Sequence, residues 1–150
     1  MAGPGVDDPG TDPWALVRAE LEADVRRVSD RLRSLSATRL ASPPAPPEQY
    51  WPPYESRAQA GRAAAFELAR AAGALEAAAA GPLGREPREL PVLSDFAVGD
   101  QVAVTGHDLL AAMGLVPPDM TVWTGAIEHG PAAQAVSDAA KVLADVRRRL

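Results

Sequence analysis

Four polar residues, Asp100, Gln101, His107 and Asp108, have the types and spacing from which this chain could build a site. Between Glu89 and Ala140 there are several carboxylates and neither Lys nor Arg. The surrounding apolar residues spread most of the way round a predicted helix, which is the pattern of a buried helix. Polar side chains on such a helix need hydrogen-bond or charge partners.

Two interpretations of these residues stay open. In the first they form a polar centre, with Asp100 and His107 two helical turns apart on one side and Gln101 and Asp108 on another. In the second, the carboxylates form interhelical ion pairs with arginines of the first two predicted helices, such as Arg31, Arg62 and Arg70.

No motif with a recognised catalytic or metal-binding spacing accompanies these residues. The two histidines, His107 and His129, are not part of an HExxH or ExxH arrangement, and no cysteine is available as a ligand. No GxSxG nucleophile elbow, P-loop or dinucleotide fingerprint is present. The sequence predicts no catalytic residue, no metal and no cofactor.

A second feature is the segment 42–54, where prolines alternate with the aromatic residues Tyr50, Trp51 and Tyr54. Proline removes backbone donors and favours extended geometry in the preceding residue, so this segment is predicted to be a stiff connector. Its rings either cover the helical core or form an exposed polyproline-type ligand for a partner's aromatic groove.

The elements that would position these residues are four predicted helices. Residues 1–12 are predicted to be a disordered lead, and 13–150 a single all-α domain, a four-helix bundle, with the Pro-rich connector between helices one and two. In helix one, apolar residues recur every three or four positions from Trp14 to Leu35, after a cap at Thr11 or Asp12. The predicted helices are about 13–41, 55–80, 94–114 and 131–149.

The third of these helices is the hardest to assign. Val102 and Val104 alternate as in a strand, whereas Gly99, Val102, Gly106, Leu109 and Met113 follow the spacing of one helical face. We favour a helix and attribute its two glycines to close contact with the Ala-rich face of helix two. Residues 115–130 are predicted to be an irregular connector with at most a short extended piece.

Composition narrows the class of partner. The net charge of -5 argues against a nucleic-acid binder, and the run Arg147–Arg149 suits the C-terminal end of a helix. No stretch reaches the roughly 20 apolar residues of a membrane span, and no signal-peptide pattern opens the chain. We expect a cytoplasmic protein without a nucleic-acid or membrane partner.

The segment VAVTGHDLLAAMG, residues 102–114, resembles a segment of the DinB-like superfamily, which includes the mycothiol-dependent maleylpyruvate isomerases. The resemblance implies a four-helix bundle, in which family members hold a metal with three histidines. Thr105 stands at the position of a metal-binding histidine, so the resemblance also implies that the metal chemistry has been lost. The matching residues are Val104, Asp108, Leu109, Ala112 and Gly114.

The sequence thus favours a non-catalytic helical protein that binds another protein or a second copy of itself. The surface expected to do so is the long first helix, the Pro-aromatic connector, or both. The alternative is a small ligand-binding protein, or a degenerate DinB-like enzyme, centred on the polar residues of helix three.

Overall fold

The computed structural model describes residues 11–46, 53–81, 89–124 and 127–150. The described chain is mostly helical, which confirms the predicted all-α class. Within these ranges no helix has the length and apolarity needed to cross a bilayer. The elements are α1 Ala15–Ser34, α2 Ala37–Ala41, α3 Arg57–Ala80, α4 Val98–Met113, β1 Thr121–Trp123, β2 His129–Pro131 and α5 Ala132–Arg149.

Two hydrogen bonds of Trp14, one local and one long-range, hold the start of α1. The Asp12 carboxylate accepts the backbone N–H of Trp14 at 2.9 Å; Trp14 is the N-cap residue, and it makes no side-chain capping bond, so α1 begins two to three residues later than the predicted cap at Thr11 or Asp12. The Trp14 indole N–H donates to the Val116 carbonyl at 2.9 Å, so the ring is buried with its polar atom paired.

The segment predicted as one helix over 13–41 is divided into α1 and α2. Leu35 and Ser36 have extended backbone angles, and the Ser36 hydroxyl accepts the N–H of Arg39 to cap α2. Serine competes with the helix for backbone hydrogen bonds, which is the physical reason for a break at this position. Leu40 of α2 is buried, so the turn after α1 returns the chain to the core.

The helix α3 supplies the smallest surface in the core. Its buried residues are mostly alanines, and Gly61 lies where a β-carbon would collide with the side chains of Leu32 and Val98. The Ser56 hydroxyl accepts the N–H of Gln59 at 3.0 Å and caps the helix. The chain leaves α3 at Gly81, whose φ of 77° is a conformation that favours glycine.

The helix α4 follows a 3-10 turn at Asp95–Ala97, and the segment is therefore helical and not a strand. Its glycines do not face α3, contrary to our expectation. A β-carbon at Gly99 would lie 2.9 Å from the Ser29 carbonyl, and one at Gly106 would lie 2.5 Å from Val25. The glycines bring α4 close to α1, which runs antiparallel to it.

The connector after α4 contains a short antiparallel hairpin. β1 pairs with β2, with Val122 opposite Gly130, and Val122 is buried. The N–H of Ala132 donates to the Met120 carbonyl at 2.7 Å and joins the hairpin to the start of α5.

The four long helices share one apolar core. α3 contacts α4 and α5, and α1 contacts the same two helices from the other side. Each fully buried Leu or Val stabilises the fold by roughly 1.5–3 kcal/mol relative to an exposed one. The largest fully buried side chains include Leu32, Leu40, Leu68, Leu75, Leu109, Met113 and Leu143.

Candidate functional site

Two neighbouring polar residues of α4 point in different directions. Asp100 is exposed, and its carboxylate accepts a hydrogen bond from Nε of Arg33 on α1 at 2.7 Å. Gln101 is buried, and its Nε2 donates to the Pro91 carbonyl at 2.7 Å. Asp100 thus joins α4 to α1, and Gln101 holds the segment that precedes α4.

The remaining two members of the predicted polar centre are both exposed. His107 lies on the side of α4 that faces α1, where it lines a shallow cleft. Asp108 has no hydrogen-bond or ion-pair partner among the described residues. The structure therefore does not gather Asp100, Gln101, His107 and Asp108 around one point.

The ion pairs favour the other interpretation of these carboxylates. Asp100 pairs with Arg33, and Asp95 pairs with Arg62 of α3 at 2.6 Å. Such half-exposed pairs contribute about 0.2–1 kcal/mol each. The other two arginines that the sequence singled out have different partners: Arg31 donates to the Leu150 carbonyl, and Arg70 to Glu67 and the Thr124 carbonyl.

Thr105, which stands where the resemblance places a metal-binding histidine, and His129 each contact another group of the protein. The buried Thr105 hydroxyl donates to the Gln101 carbonyl one turn earlier, at 2.8 Å. The exposed His129 ring lies against Trp123 in the hairpin, with 3.6 Å between the ring centroids. Within the described ranges, no three His, Asp or Glu side chains are placed to hold a metal ion.

Of the three connector aromatics, Tyr50 and Trp51 lie outside the described residues. Tyr54 is half-buried and contacts the core, as in the interpretation that the rings cover the helices. Burial, and secondarily the nearby Asp145 carboxylate, raise the pKa of Tyr54 above its usual value.

Tyr54 contacts a buried ion pair, Asp145 with Arg149, that the sequence did not predict. The Arg149 guanidinium lies 4.7 Å from the Tyr54 ring centroid and pairs with Asp145 at 3.2 Å. Its Nε donates to the Ala45 carbonyl, and the Ala45 N–H donates to the Arg149 carbonyl. The available signal was spacing: Arg149 follows Val146 by three residues and so falls on the buried face of α5.

One concave surface of the described chain is an apolar groove beside α3. Its volume is about 440 Å³, and Phe66, Ala63 and Tyr54 form one side, while Leu90, Pro91 and Val92 form the other. Phe66 is 56% exposed and Val92 is 91% exposed. We call this surface the Phe66 groove.

Comparison of the chain with protein-family models, curated proteins and solved structures finds no match. The resemblance of residues 102–114 to the DinB-like superfamily therefore stays a prediction, and the site must be interpreted from its own geometry.

Two polar side chains of the Phe66 groove are engaged within the protein, although the buried Nε of Arg62 has no partner among the described residues. Arg62 donates to Asp95 and to the Leu93 carbonyl, and Gln101 donates to the Pro91 carbonyl. What remains accessible is mainly hydrocarbon and aromatic surface. Such a surface binds by burying apolar side chains, and the charged residue among its described lining, Arg62, is ion-paired with Asp95.

Proposed function

We propose that the protein is a four-helix bundle that binds an apolar segment of another protein in the Phe66 groove. The observation that carries the proposal is the exposure of Phe66 beside a cavity of about 440 Å³. Large apolar side chains that flank a concave surface mark interaction sites more often than isolated ones do. Aromatic residues are also enriched among the residues that dominate binding energy.

The chemistry of the groove defines the occupant. Since Nη2 of Arg62 and Nε2 of Gln101 are bonded within the protein, and the unpartnered Nε of Arg62 is buried, a charged or strongly polar ligand would lose water and gain few partners. An apolar side chain loses little and gains about 25 cal/mol for each Å² that it buries. We infer that the partner inserts one or two apolar side chains, such as Leu or Phe, between Phe66 and Val92.

The position of Tyr54 supports a preformed groove. Arg149 lies over its ring, and the same arginine is bonded to Asp145 and to Ala45. A wall held by a buried ion pair loses less freedom when a ligand binds, which favours affinity.

A cytoplasmic location is in keeping with the cysteine-free composition, and cell fractionation would check it.

Selection from a displayed peptide library tests this function. We expect the wild-type protein to enrich peptides that share spaced apolar residues, and Ala63→Arg, which fills the groove, to lose that enrichment. The matched control is Ala19→Arg, an exposed alanine on α1 outside the groove, which should enrich the same peptides. Circular dichroism of each variant verifies that it is folded.

Two results would contradict the proposal. Enrichment of the same peptides by Ala63→Arg would show that they bind elsewhere. A dimer that Ala63→Arg dissociates, measured by sedimentation equilibrium, would assign the groove to a second copy of the chain in place of a different protein.

A further inference from the structure

A second concave surface lies between α1 and α4, on a different face from the Phe66 groove. It is a cleft of about 250 Å³, whose sides come from antiparallel helices that approach closely at Gly99 and Gly106. Ala103, between these two glycines, and Ser29 of α1 both line the cleft. Val25 and Leu110 add apolar surface to the cleft.

Ser29 lines this cleft with a hydroxyl that has no partner. The residue is 1% exposed, and its Oγ makes no hydrogen bond within the described structure. A serine inside a helix usually bonds a carbonyl one turn earlier. A buried hydroxyl without a partner destabilises a protein by about 1–3 kcal/mol. A bound molecule with a polar atom near Ser29 would remove that loss.

Exposed charges of both signs line the same cleft as this hydroxyl. Glu22 and Arg26 are four residues apart on α1, in the order that favours an ion pair. Neither side chain has an ion pair or a hydrogen bond to any described residue. In contrast, Arg33 at the far end of the cleft is paired with Asp100 at 2.7 Å and with Asp30 at 3.5 Å.

We propose that this cleft binds a small zwitterion, with one carboxylate and one ammonium group joined by a short apolar chain. Arg26, with His107 opposite it on α4, receives the carboxylate. Glu22 receives the ammonium group, and the Ser29 hydroxyl bonds a polar atom of the ligand. The apolar chain lies against Val25 and Leu110. A volume of about 250 Å³ suits a molecule below the size of most drug-like ligands.

Titration of the ¹⁵N-labelled protein with 4-aminobutanoate tests the proposal. We expect saturable shifts of the Ser29 and Ala103 amide signals, while butanoate and butylammonium, which each carry one of the two charges, bind at least about tenfold more weakly. Equal binding of butanoate would mean a simple anion site and would overturn the proposal. An absence of saturable shifts with all three compounds would overturn it as well.

Matched arginine variants locate the site. Arg26→Gln should weaken binding of 4-aminobutanoate about tenfold, the effect of losing roughly 1.4 kcal/mol. Arg27→Gln changes the adjacent, exposed arginine, which is outside the cleft and near Asp24, and should leave binding unchanged. Equal binding by wild type and both variants would place the ligand elsewhere. The readout does not involve the Phe66 groove, so this test and that of the proposed function fail independently.

Discussion

A β-carbon on Gly106 of α4 would lie 2.5 Å from Cγ1 of Val25 on α1, closer than van der Waals contact allows. We therefore expect Gly106→Ala to lower the free energy of unfolding, even though Ala is favoured in helices by about 1 kcal/mol. Gly106→Leu should lower it further, because overpacking a core typically costs about 1–3 kcal/mol. Urea unfolding of the variants measures both effects.

The matched control is Gly73→Ala in α3. No heavy atom lies within 4 Å of a β-carbon at Gly73, so this change should raise the free energy of unfolding by about 0.4–1 kcal/mol. His129→Ala, on the exposed hairpin, should stay within roughly 0.5 kcal/mol of wild type. If Gly106→Ala and Gly73→Ala stabilise the protein equally, α4 does not approach α1 as closely as described.

The buried pair of Asp145 and Arg149 predicts a large effect from a single truncation. Asp145→Ala removes a buried carboxylate that pairs with Arg149, and truncating one partner of a buried ion pair destabilises proteins by about 3–5 kcal/mol. Arg148→Ala removes a neighbouring, mainly exposed charge and should stay within about 0.5 kcal/mol. Thermal and urea unfolding compare them, and similar small losses in both would mean that the pair is not buried.

Because Tyr54 is half-buried, we expect the free energy of unfolding to depend on pH in the alkaline range. Because its folded-state pKa is raised, its contribution is complete below the unfolded pKa of about 10 and is lost as the pH rises through the folded-state pKa. The Tyr50→Phe variant leaves Tyr54 as the only tyrosine, so ultraviolet absorbance of tyrosinate follows it alone. We expect half-titration at higher pH in native buffer than in denaturant. Coincident titrations would contradict this.

The lowered pKa of Asp12 leads us to expect the opposite pH dependence, in which the free energy of unfolding falls at acid pH. Its hydrogen bond from the Trp14 N–H, and that from Arg18, lower the pKa of Asp12. The stabilisation it gives is therefore present near neutral pH and is lost as the pH falls through the lowered pKa. Asp12→Ala should lower the thermal midpoint at neutral pH and have little effect in strong acid, whereas Asp12→Asn, which keeps an acceptor, should lose less.

Apolar spacing predicts the buried faces of the helices well. The face from Gly99 to Met113 is buried throughout, and so is the face of α5 from Ala132 to Val146. Spacing specifies which side of a helix is buried, but not which neighbour covers it. For that reason the glycines of α4 could be predicted to lie at a close contact, while their true partner, α1, could not.

The polar residues were harder to predict, because their pairing depends on tertiary geometry. Gln101 is buried against the Pro91 carbonyl, and Asp100, one position earlier, is exposed beside Arg33. Adjacent helical positions differ by about 100° in direction, so neighbours in sequence need not share a site. The Phe66 groove involves α3 and the chain before α4, and no local pattern in either segment identifies it.

The reciprocal hydrogen bonds between Ala45 and Arg149 join residues 104 positions apart. Contacts of such long sequence separation carry a loop-closure cost in entropy, so we expect this one to form late in folding. The connector should therefore dock only after the last turn of α5 is in place, and Tyr54 reaches its final position at that stage. The Phe66 groove is then complete only in the fully folded chain, so that binding of a partner would distinguish finished molecules from folding intermediates.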